Sequence, residues 1–188
     1  MEEEIKNILE ESIAMKQKLK DLAPLIANVS KQIILVYENK KKVVLFGNGG
    51  SAADAQHIAA EFVGKFYKNR DSLPALAFHT NTSVVTATAN DFGYDKIFER
   101  QVSSLVHEGD IAIGISTSGN SLNVIKGLQK AREKGAITIG LTGQKENEIE
   151  KIVDFCIKVP SEDTPRIQEG HITIGHIICY LVEKELFT

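Results

Sequence analysis

Residues 46–61 read Phe46-Gly47-Asn48-Gly49-Gly50-Ser51-Ala52-Ala53-Asp54-Ala55-Gln56-His57-Ile58-Ala59-Ala60-Glu61. The stretch has the pattern of a buried strand end, a glycine turn and the start of an amphipathic helix. Glycine lets backbone N–H groups approach a ligand closely, and a helix N-terminus favours negative charge, so the turn predicts an anion site of phosphate size. His57 and Glu61 follow at positions i and i+4, on one helix face. The stretch therefore indicates chemistry on a small phosphorylated molecule.

Apolar segments that alternate with helix-like segments continue from this stretch. Nearly continuous apolar runs are typical of parallel strands that are covered on both faces. A strand–helix alternation of this kind predicts an α/β fold with a doubly wound, five-stranded parallel sheet. The predicted strands are residues 43–46, 75–78, 111–115, 136–141 and 155–159, and the predicted helices between them are residues 51–66, 94–106, 121–134 and a shorter one near 147–153.

Both ends of the chain are predicted to be helical. Apolar residues recur at helical spacing in residues 2–39, and Pro24 divides the segment into two helices. The first of these helices cannot bury its apolar stripe alone, so it must pack on the main domain or on another chain. The last helix is expected to have Thr164 as N-cap, followed by Pro165, and to run to about residue 187. Apolar residues around much of its circumference predict burial between subunits.

Length indicates one domain over residues 1–188. Residues 1–39 are expected to be a helical arm used in oligomerisation, because their apolar stripe needs a partner. A hydrophobic content of 43% and a net charge of −3 are ordinary for a globular protein and give no reason to expect nucleic-acid binding. The acidic start lacks the pattern of a secretory signal, and no apolar run approaches the ~18 residues of a membrane-spanning helix. A cytoplasmic location without a membrane partner is expected.

Three polar clusters follow predicted strands, where an open parallel sheet binds its ligands. Hydroxyl groups and free N–H groups at a helix start form a phosphate site, although a simple helix cap would explain any one cluster. The first and third clusters together favour phosphate, and neither has the pattern of a nucleotide-binding loop. The clusters are Asn48-Gly49-Gly50-Ser51, then Asn90-Asp91 near a polar turn at residues 80–83, and Ser116-Thr117-Ser118-Gly119-Asn120-Ser121.

The histidines divide into candidates for a site and candidates for structure. His57 and Glu61 can reach one metal ion or one substrate, although such a pair is also common on a solvated helix surface. His176 lies in an apolar run, where a satisfied core histidine and a site residue are equally consistent with the pattern. The other three histidines, His79, His107 and His171, are expected to be structural.

The combined motifs resemble the sugar isomerase (SIS) domain and, more closely, the phosphoheptose isomerases. The resemblance covers essentially the whole chain and is carried by the motifs at residues 47–51, 54–57 with Glu61, 90–93, 114–121 and 166–169. It implies a flavodoxin-like strand order and a ketose–aldose isomerase that converts sedoheptulose 7-phosphate to D-glycero-D-manno-heptose 7-phosphate. That reaction is the first step towards the heptose of bacterial lipopolysaccharide or another surface glycan. The resemblance also implies a homotetramer with active sites between subunits.

The resemblance assigns roles to particular residues. Glu61 and His176 are the implied acid–base pair. One zinc ion per subunit is implied, with ligands His57, Glu61, Gln168 and His176. The implied sugar-phosphate ligands are Asn48, Gly49, Gly50, Glu61, Asn90, Asp91, Ser116, Thr117, Ser118, Ser121 and Gln168.

Some points of this assignment stay open in the sequence. A carboxylate that is held by a metal is a poorer base, so either Glu61 leaves the metal when substrate binds or zinc is structural or inhibitory. Gln168 and His176 are about 12 Å apart along a regular helix, so either the helix is irregular or one of them serves a neighbouring subunit. Pro165 stands where several family members carry an acidic residue, which removes a third candidate acid–base group.

Two other functions compete with this interpretation. Some SIS proteins are tetramers that bind the bacterial replication initiator without catalysis, but Glu61 and His176 together favour an enzyme. Other SIS enzymes act on a pentose or hexosamine phosphate, and the short chain argues against the larger of them.

Overall fold

A computed structural model describes residues 1–187, so the last residue of the predicted domain lies outside it. Five parallel strands form one sheet in the order β2-β1-β3-β4-β5, which confirms the doubly wound, flavodoxin-like prediction. The strands are β1 (Val43–Gly47), β2 (Ala75–Ala77), β3 (Ile111–Ile115), β4 (Ile137–Gly143) and β5 (Phe155–Val159). The α-helices are α1 (Glu2–Lys18), α2 (Ala23–Glu38), α3 (Gly50–Val63), α4 (Thr82–Phe92), α5 (Ile97–Leu105), α6 (Leu122–Glu133) and α7 (Thr164–Leu186).

The two faces of the sheet carry separate apolar cores because side chains alternate along each strand. Val43 and Leu45 pack in a cluster with residues of α2, α3 and α7. Val44 and Phe46 point the other way and pack with residues of α5 and α6. All of β1 and β3 is buried, as expected for central strands that are covered on both sides.

The structure corrects several of the predicted helices. Helix α3 ends at Val63 rather than at residue 66. Residues 82–92 form α4, whereas the sequence suggested only a polar turn at residues 80–83. The Asn81 side chain accepts a hydrogen bond from the N–H of Val84 and so caps the start of this helix. The predicted helix at 94–106 is a 3₁₀ turn at Tyr94–Lys96 followed by α5. The predicted helix near 147–153 is a series of turns.

The start of α7 lies one residue earlier than predicted. The N-cap is Asp163 rather than Thr164, because the Asp163 carbonyl already accepts the first helical hydrogen bond, from the N–H of Ile167 at 2.9 Å. Pro165 falls in the first turn, where its missing N–H costs nothing. From there α7 continues without interruption to Leu186.

The N-terminal arm lies against α7. Met15 is buried, the Ser12 hydroxyl donates to the Glu169 carboxylate at 2.7 Å, and Arg166 donates to the carbonyl of Ile8 at 3.1 Å. As predicted, Pro24 lies at the start of α2, where it separates the two helices of the arm. Within residues 1–187, none of the helices has the length and apolar character that crossing a membrane requires.

Candidate active site

The glycine turn lies at the switch point of the sheet, where the strand order reverses between β1 and β3. Gly49 has φ +56°, a conformation that other residues rarely adopt, and forms the N-cap of α3. A Cβ atom on Gly50 would collide with Nε2 of Gln168 from α7. Glycine at position 50 therefore lets the Gln168 amide lie directly over the start of α3.

The Asn48 side chain joins three elements rather than pointing freely at a ligand. Its amide exchanges two hydrogen bonds with Asn123 of α6, at 2.9 and 2.8 Å. The Tyr94 hydroxyl donates to the same Asn48 oxygen at 3.1 Å. This network fixes the end of β1 against α6, so the Asn48 side chain is already hydrogen-bonded within the protein.

A loop over residues 116–121, here called the serine loop, follows β3 beside the glycine turn. The hydroxyl oxygens of Ser116 and Ser121 are 2.9 Å apart, and those of Ser116 and Ser118 are 3.4 Å apart. Ser121 is also the N-cap of α6, so the three hydroxyls gather at a helix N-terminus. Such a cluster offers many donors to a phosphate without a buried positive charge.

A cavity of about 230 Å³ adjoins the serine loop on the side of β4. Its lining includes Thr117, Ser118, Lys145 and Ser161. The Thr117 carbonyl accepts from the N–H of Gly143 and ties the loop to β4. Lys145 was not singled out in the sequence because no motif marks it. It brings a positive charge to this side of the loop, although it also pairs with Glu162 at 3.2 Å.

His57, Glu61 and His176 converge on one point between α3 and α7. Nε2 of His57 lies 3.2 Å from a Glu61 carboxylate oxygen and 3.4 Å from Nε2 of His176. His57 is exposed, whereas Glu61 and His176 are half-buried. The structure thus joins the (i, i+4) pair to the histidine from the apolar run, which the sequence could not place.

The three side chains fit a zinc ion by donor type and spacing. Two imidazole nitrogens and one carboxylate oxygen lie within 4.8 Å of one another. Zinc takes such ligands at about 2.0–2.1 Å in a tetrahedron, which would place neighbouring ligand atoms about 3.3 Å apart. The observed separations of 3.2 and 3.4 Å are close to this value. Three protein ligands leave the fourth position of the tetrahedron for a further ligand.

Gln168 does not join this group within one chain. Because α7 is continuous, Gln168 lies about 12 Å along the helix axis from His176, beside Gly50 rather than beside His57. An irregular α7 is therefore excluded as a way of bringing Gln168 and His176 to one ion.

Asn90 and Asp91 lie at the exposed C-terminal end of α4. The Asn90 amide donates to the Asp91 carboxylate at 2.8 Å. Tyr94, which follows shortly after, reaches Asn48, so this end of α4 is near the glycine turn.

The remaining histidines lie away from this group. His171 is fully buried and pairs with the carbonyl of Thr142 at 3.2 Å, and burial lowers its pKa to about 4. Burial also lowers the pKa of His79. His107 is exposed and lies near Lys42 and Asp110.

Asp54 lies one turn before His57 on α3. Burial raises the pKa of its carboxyl group, and the nearby His57 opposes this rise.

Known proteins are similar to this chain in sequence and in fold. A family model for the SIS domain matches residues 4–143. A phosphoheptose isomerase of Aneurinibacillus thermoaerophilus is 53% identical over 190 residues, covering 100% of this chain and 96% of that protein. The chain belongs to the phosphoheptose isomerase family. It is therefore an aldose–ketose isomerase with a SIS-domain fold.

Solved phosphoheptose isomerases have the same fold over the whole chain. The enzyme from Neisseria gonorrhoeae has a TM-score of 0.92 at 38% identity and covers 97% of this chain and 98% of its own. The enzyme from Francisella tularensis has a TM-score of 0.94 at 32% identity and 97% coverage of both chains. The isomerase interpretation of the sequence is thereby confirmed at the level of the family.

Proposed function

We propose that the chain interconverts sedoheptulose 7-phosphate and D-glycero-D-manno-heptose 7-phosphate, with Glu61 as base and His176 as proton donor. The observation that carries this proposal is the meeting of Glu61, His57 and His176 between α3 and α7. Full-length similarity to phosphoheptose isomerases supports the same substrate.

The two groups complete a proton transfer through an enediol. The Glu61 carboxylate removes a proton from C1 of the ketose, and the electrons of the broken C–H bond form the C1–C2 double bond. The carbonyl oxygen on C2 takes a proton from the imidazolium of His176. The Glu61 carboxyl then returns its proton to C2, while His176 recovers one from the oxygen on C1, which gives the aldose. Each such transfer contributes roughly 10²–10⁴ in rate.

The serine loop and the glycine turn are proposed to hold the phosphate, with Asn48, Thr117, Asn90 and Asp91 near the same edge. The glycine turn lies at the start of α3, and Glu61 lies in the last turn of the same helix. We therefore propose that the substrate lies along α3, with its phosphate at the glycine turn and its reacting carbons towards Glu61.

Zinc is proposed as the cofactor, held by His57, Glu61 and His176, with Gln168 of a neighbouring subunit as the fourth ligand. When bound, zinc would polarise the substrate carbonyl as a Lewis acid. A carboxylate oxygen or an imidazole nitrogen that holds zinc cannot also carry the transferred proton. Either Glu61 and His176 therefore leave the ion when substrate binds, or zinc is structural or inhibitory. Activity measured before and after chelation, and after zinc is restored, distinguishes a catalytic ion from a structural or inhibitory one.

A homotetramer with active sites between subunits is proposed from exposed apolar side chains. One side of α1 presents Ile5, Ile8, Leu9 and Ile13, each 45–57% exposed. Beside His176, Ile177 of α7 is 39% exposed. Apolar surface that borders the acid–base pair fits a site completed by a second subunit.

The proposed setting is the first step of heptose synthesis for lipopolysaccharide or a related surface glycan, in the cytoplasm. The alternative of a non-catalytic tetramer that binds the replication initiator would not need Glu61, His57 and His176 to converge. The measured turnover decides between the two.

The first prediction concerns the acid–base pair. Purified protein incubated with sedoheptulose 7-phosphate should form the aldose, and Glu61→Gln or His176→Ala should lower kcat by at least about 100-fold, because each removes one proton transfer. Gln56→Ala, on the solvent face of α3, is the matched control and should retain wild-type kcat. Wild-type turnover in Glu61→Gln would refute the assignment, and no turnover in any protein would favour the binding function.

A further inference from the structure

We infer that Arg70 and Glu183 are positioning residues for the reaction, because they lock the end of α3 that carries Glu61 against the helix that carries His176. This inference rests on the acid–base roles proposed for Glu61 and His176. The buried ion pair would hold Glu61 and His176 at the distance that proton transfer requires.

Glu183, in the penultimate turn of α7, binds the segment that follows α3. Its carboxylate accepts backbone hydrogen bonds from Phe66, Tyr67 and Lys68 at 2.7–2.9 Å, and one from Nε of Arg70 at 2.9 Å. Its side chain is 2% exposed. Burial would raise the pKa of Glu183, but these four donors outweigh it and hold the pKa at about 2, so the carboxylate is charged across the physiological range.

Arg70 caps the C-terminus of α3 from the other side. Its guanidinium donates to the carbonyl of Glu61 at 2.8 Å and to that of Phe62 at 2.9 Å, and its side chain is also 2% exposed. The last carbonyls of a helix lack partners within the helix and carry partial negative charge, so a cation there stabilises the final turn. Glu61 therefore has its backbone held by Arg70 while its side chain faces His57.

The Arg70–Glu183 ion pair is linked to His176 through α7. Glu183 lies seven residues after His176, about 10 Å further along the same helix. Phe66, whose N–H binds Glu183, places its ring 5.7 Å from the His176 ring. The pair thus fixes α3 to α7 two turns from the point where Glu61 and His176 converge. A misplacement of about 1 Å in reacting groups can cost about 100-fold in rate.

The test compares Glu183→Gln and Arg70→Lys with a matched buried carboxylate elsewhere. Gln at 183 keeps the shape but loses the charge, and Lys at 70 keeps the charge but cannot reach both helix carbonyls and Glu183 at once. Asp110→Asn is the control, because Asp110 is also buried and accepts from the N–H groups of Lys42 and His107 and from the Lys42 ammonium. Asp110 directly precedes β3, so it lies at the N-terminal ends of the strands, opposite the ends that carry the glycine turn and the serine loop.

All proteins are assayed at a temperature at which circular dichroism shows every variant folded. We expect kcat to fall about 10–100-fold in Glu183→Gln and Arg70→Lys, with KM for sedoheptulose 7-phosphate within about threefold of wild type, because the serine loop is untouched. Cobalt(II) affinity, measured by competition with a chromogenic chelator, should fall in the same variants. Asp110→Asn should lose stability but retain kcat and cobalt(II) affinity.

Two results separate this inference from the proposed acid–base roles. In the first, Glu61→Gln abolishes turnover while Glu183→Gln and Arg70→Lys have the same kcat as Asp110→Asn. The Arg70–Glu183 pair is then only structural, and the inference is overturned. If Glu61→Gln retains turnover, the acid–base assignment itself fails.

Discussion

At Gly50 a single missing side chain allows a contact between two helices. The Gln168 amide occupies the space that a Cβ atom would need, and it lies above the turn proposed to receive the phosphate. Gly50 is the first residue of α3, where alanine suits the backbone better than glycine. A substitution at position 50 is therefore expected to displace the Gln168 amide and to leave the fold unchanged.

The second prediction follows from this contact. Gly50→Ala should displace the flexible Gln168 amide, leave the free energy of unfolding within about 1 kcal/mol of wild type, and raise KM about tenfold. Steady-state kinetics and urea unfolding measure both effects. Ala53→Ser, on the exposed side of the same turn, should change neither quantity. An unchanged KM in Gly50→Ala would show that Gln168 does not assist substrate binding from this position.

At the scale of elements, α1 has a buried edge and an exposed apolar side. Met15 is 4% exposed and packs in the core, while Leu9 is 57% and Ile13 is 48% exposed. Ile5 and Ile8 lie on the same side of α1 and are also about half exposed, so four apolar side chains face outwards together. The arm is thus attached to its own domain and leaves an apolar side exposed, which is the surface that we propose for contact with another copy.

The third prediction concerns the assembly. Leu9→Glu with Ile13→Glu should lower the mass in sedimentation from that of an oligomer to that of a smaller species, because the introduced charges cannot be buried without partners. Circular dichroism should show unchanged helix content. Ala14→Glu, on the opposite side of α1, should leave the mass unchanged. An oligomer of unaltered mass in the double variant would exclude this side of α1 from the interface.

Some elements could be predicted from the sequence and others could not. The strands were predictable because long apolar runs such as residues 111–115 need burial on both faces. Helix α4 was missed because only Thr88 in it is fully buried, so it shows no apolar period. Residues 147–153 are apolar enough for a helix, but the buried Asn147 amide binds Thr142, Lys145 and Glu150 and holds turns instead.

The candidate site was predictable where neighbours in sequence are neighbours in space. His57 and Glu61 share a helix face, and Ser116 to Ser121 share a loop. The approach of His176 to His57 depends on the packing of α7 on α3, which no local pattern records. Arg70 and Glu183 were missed for the same reason, since 113 residues separate them in the chain.

For the whole molecule, the buried His171 couples stability to pH. Burial lowers the pKa of folded His171 to about 4, below the ordinary histidine value of 6.5, so the unfolded chain binds more protons between these values. The free energy of unfolding therefore falls as pH decreases from about 6.5 towards 4. The loss approaches about 3 kcal/mol, since each pKa unit corresponds to about 1.4 kcal/mol.

The fourth prediction is that His171→Gln flattens this dependence. Gln can still donate to the Thr142 carbonyl but does not titrate, so urea unfolding at pH 7, 6 and 5 should show a smaller loss than in wild type. His107→Gln, which removes an exposed histidine, should keep the wild-type slope. An equal slope in His171→Gln and wild type would mean that another group controls the acid sensitivity.

The proposed chemistry is tested most directly by exchange of the substrate's carbon-bound hydrogen with solvent. Wild-type protein with sedoheptulose 7-phosphate in D₂O is followed by NMR, which detects deuterium at C1 of the ketose and C2 of the aldose. We expect exchange in wild type and a rate at least about 100-fold lower in Glu61→Gln. Exchange at the wild-type rate in Glu61→Gln would contradict the account.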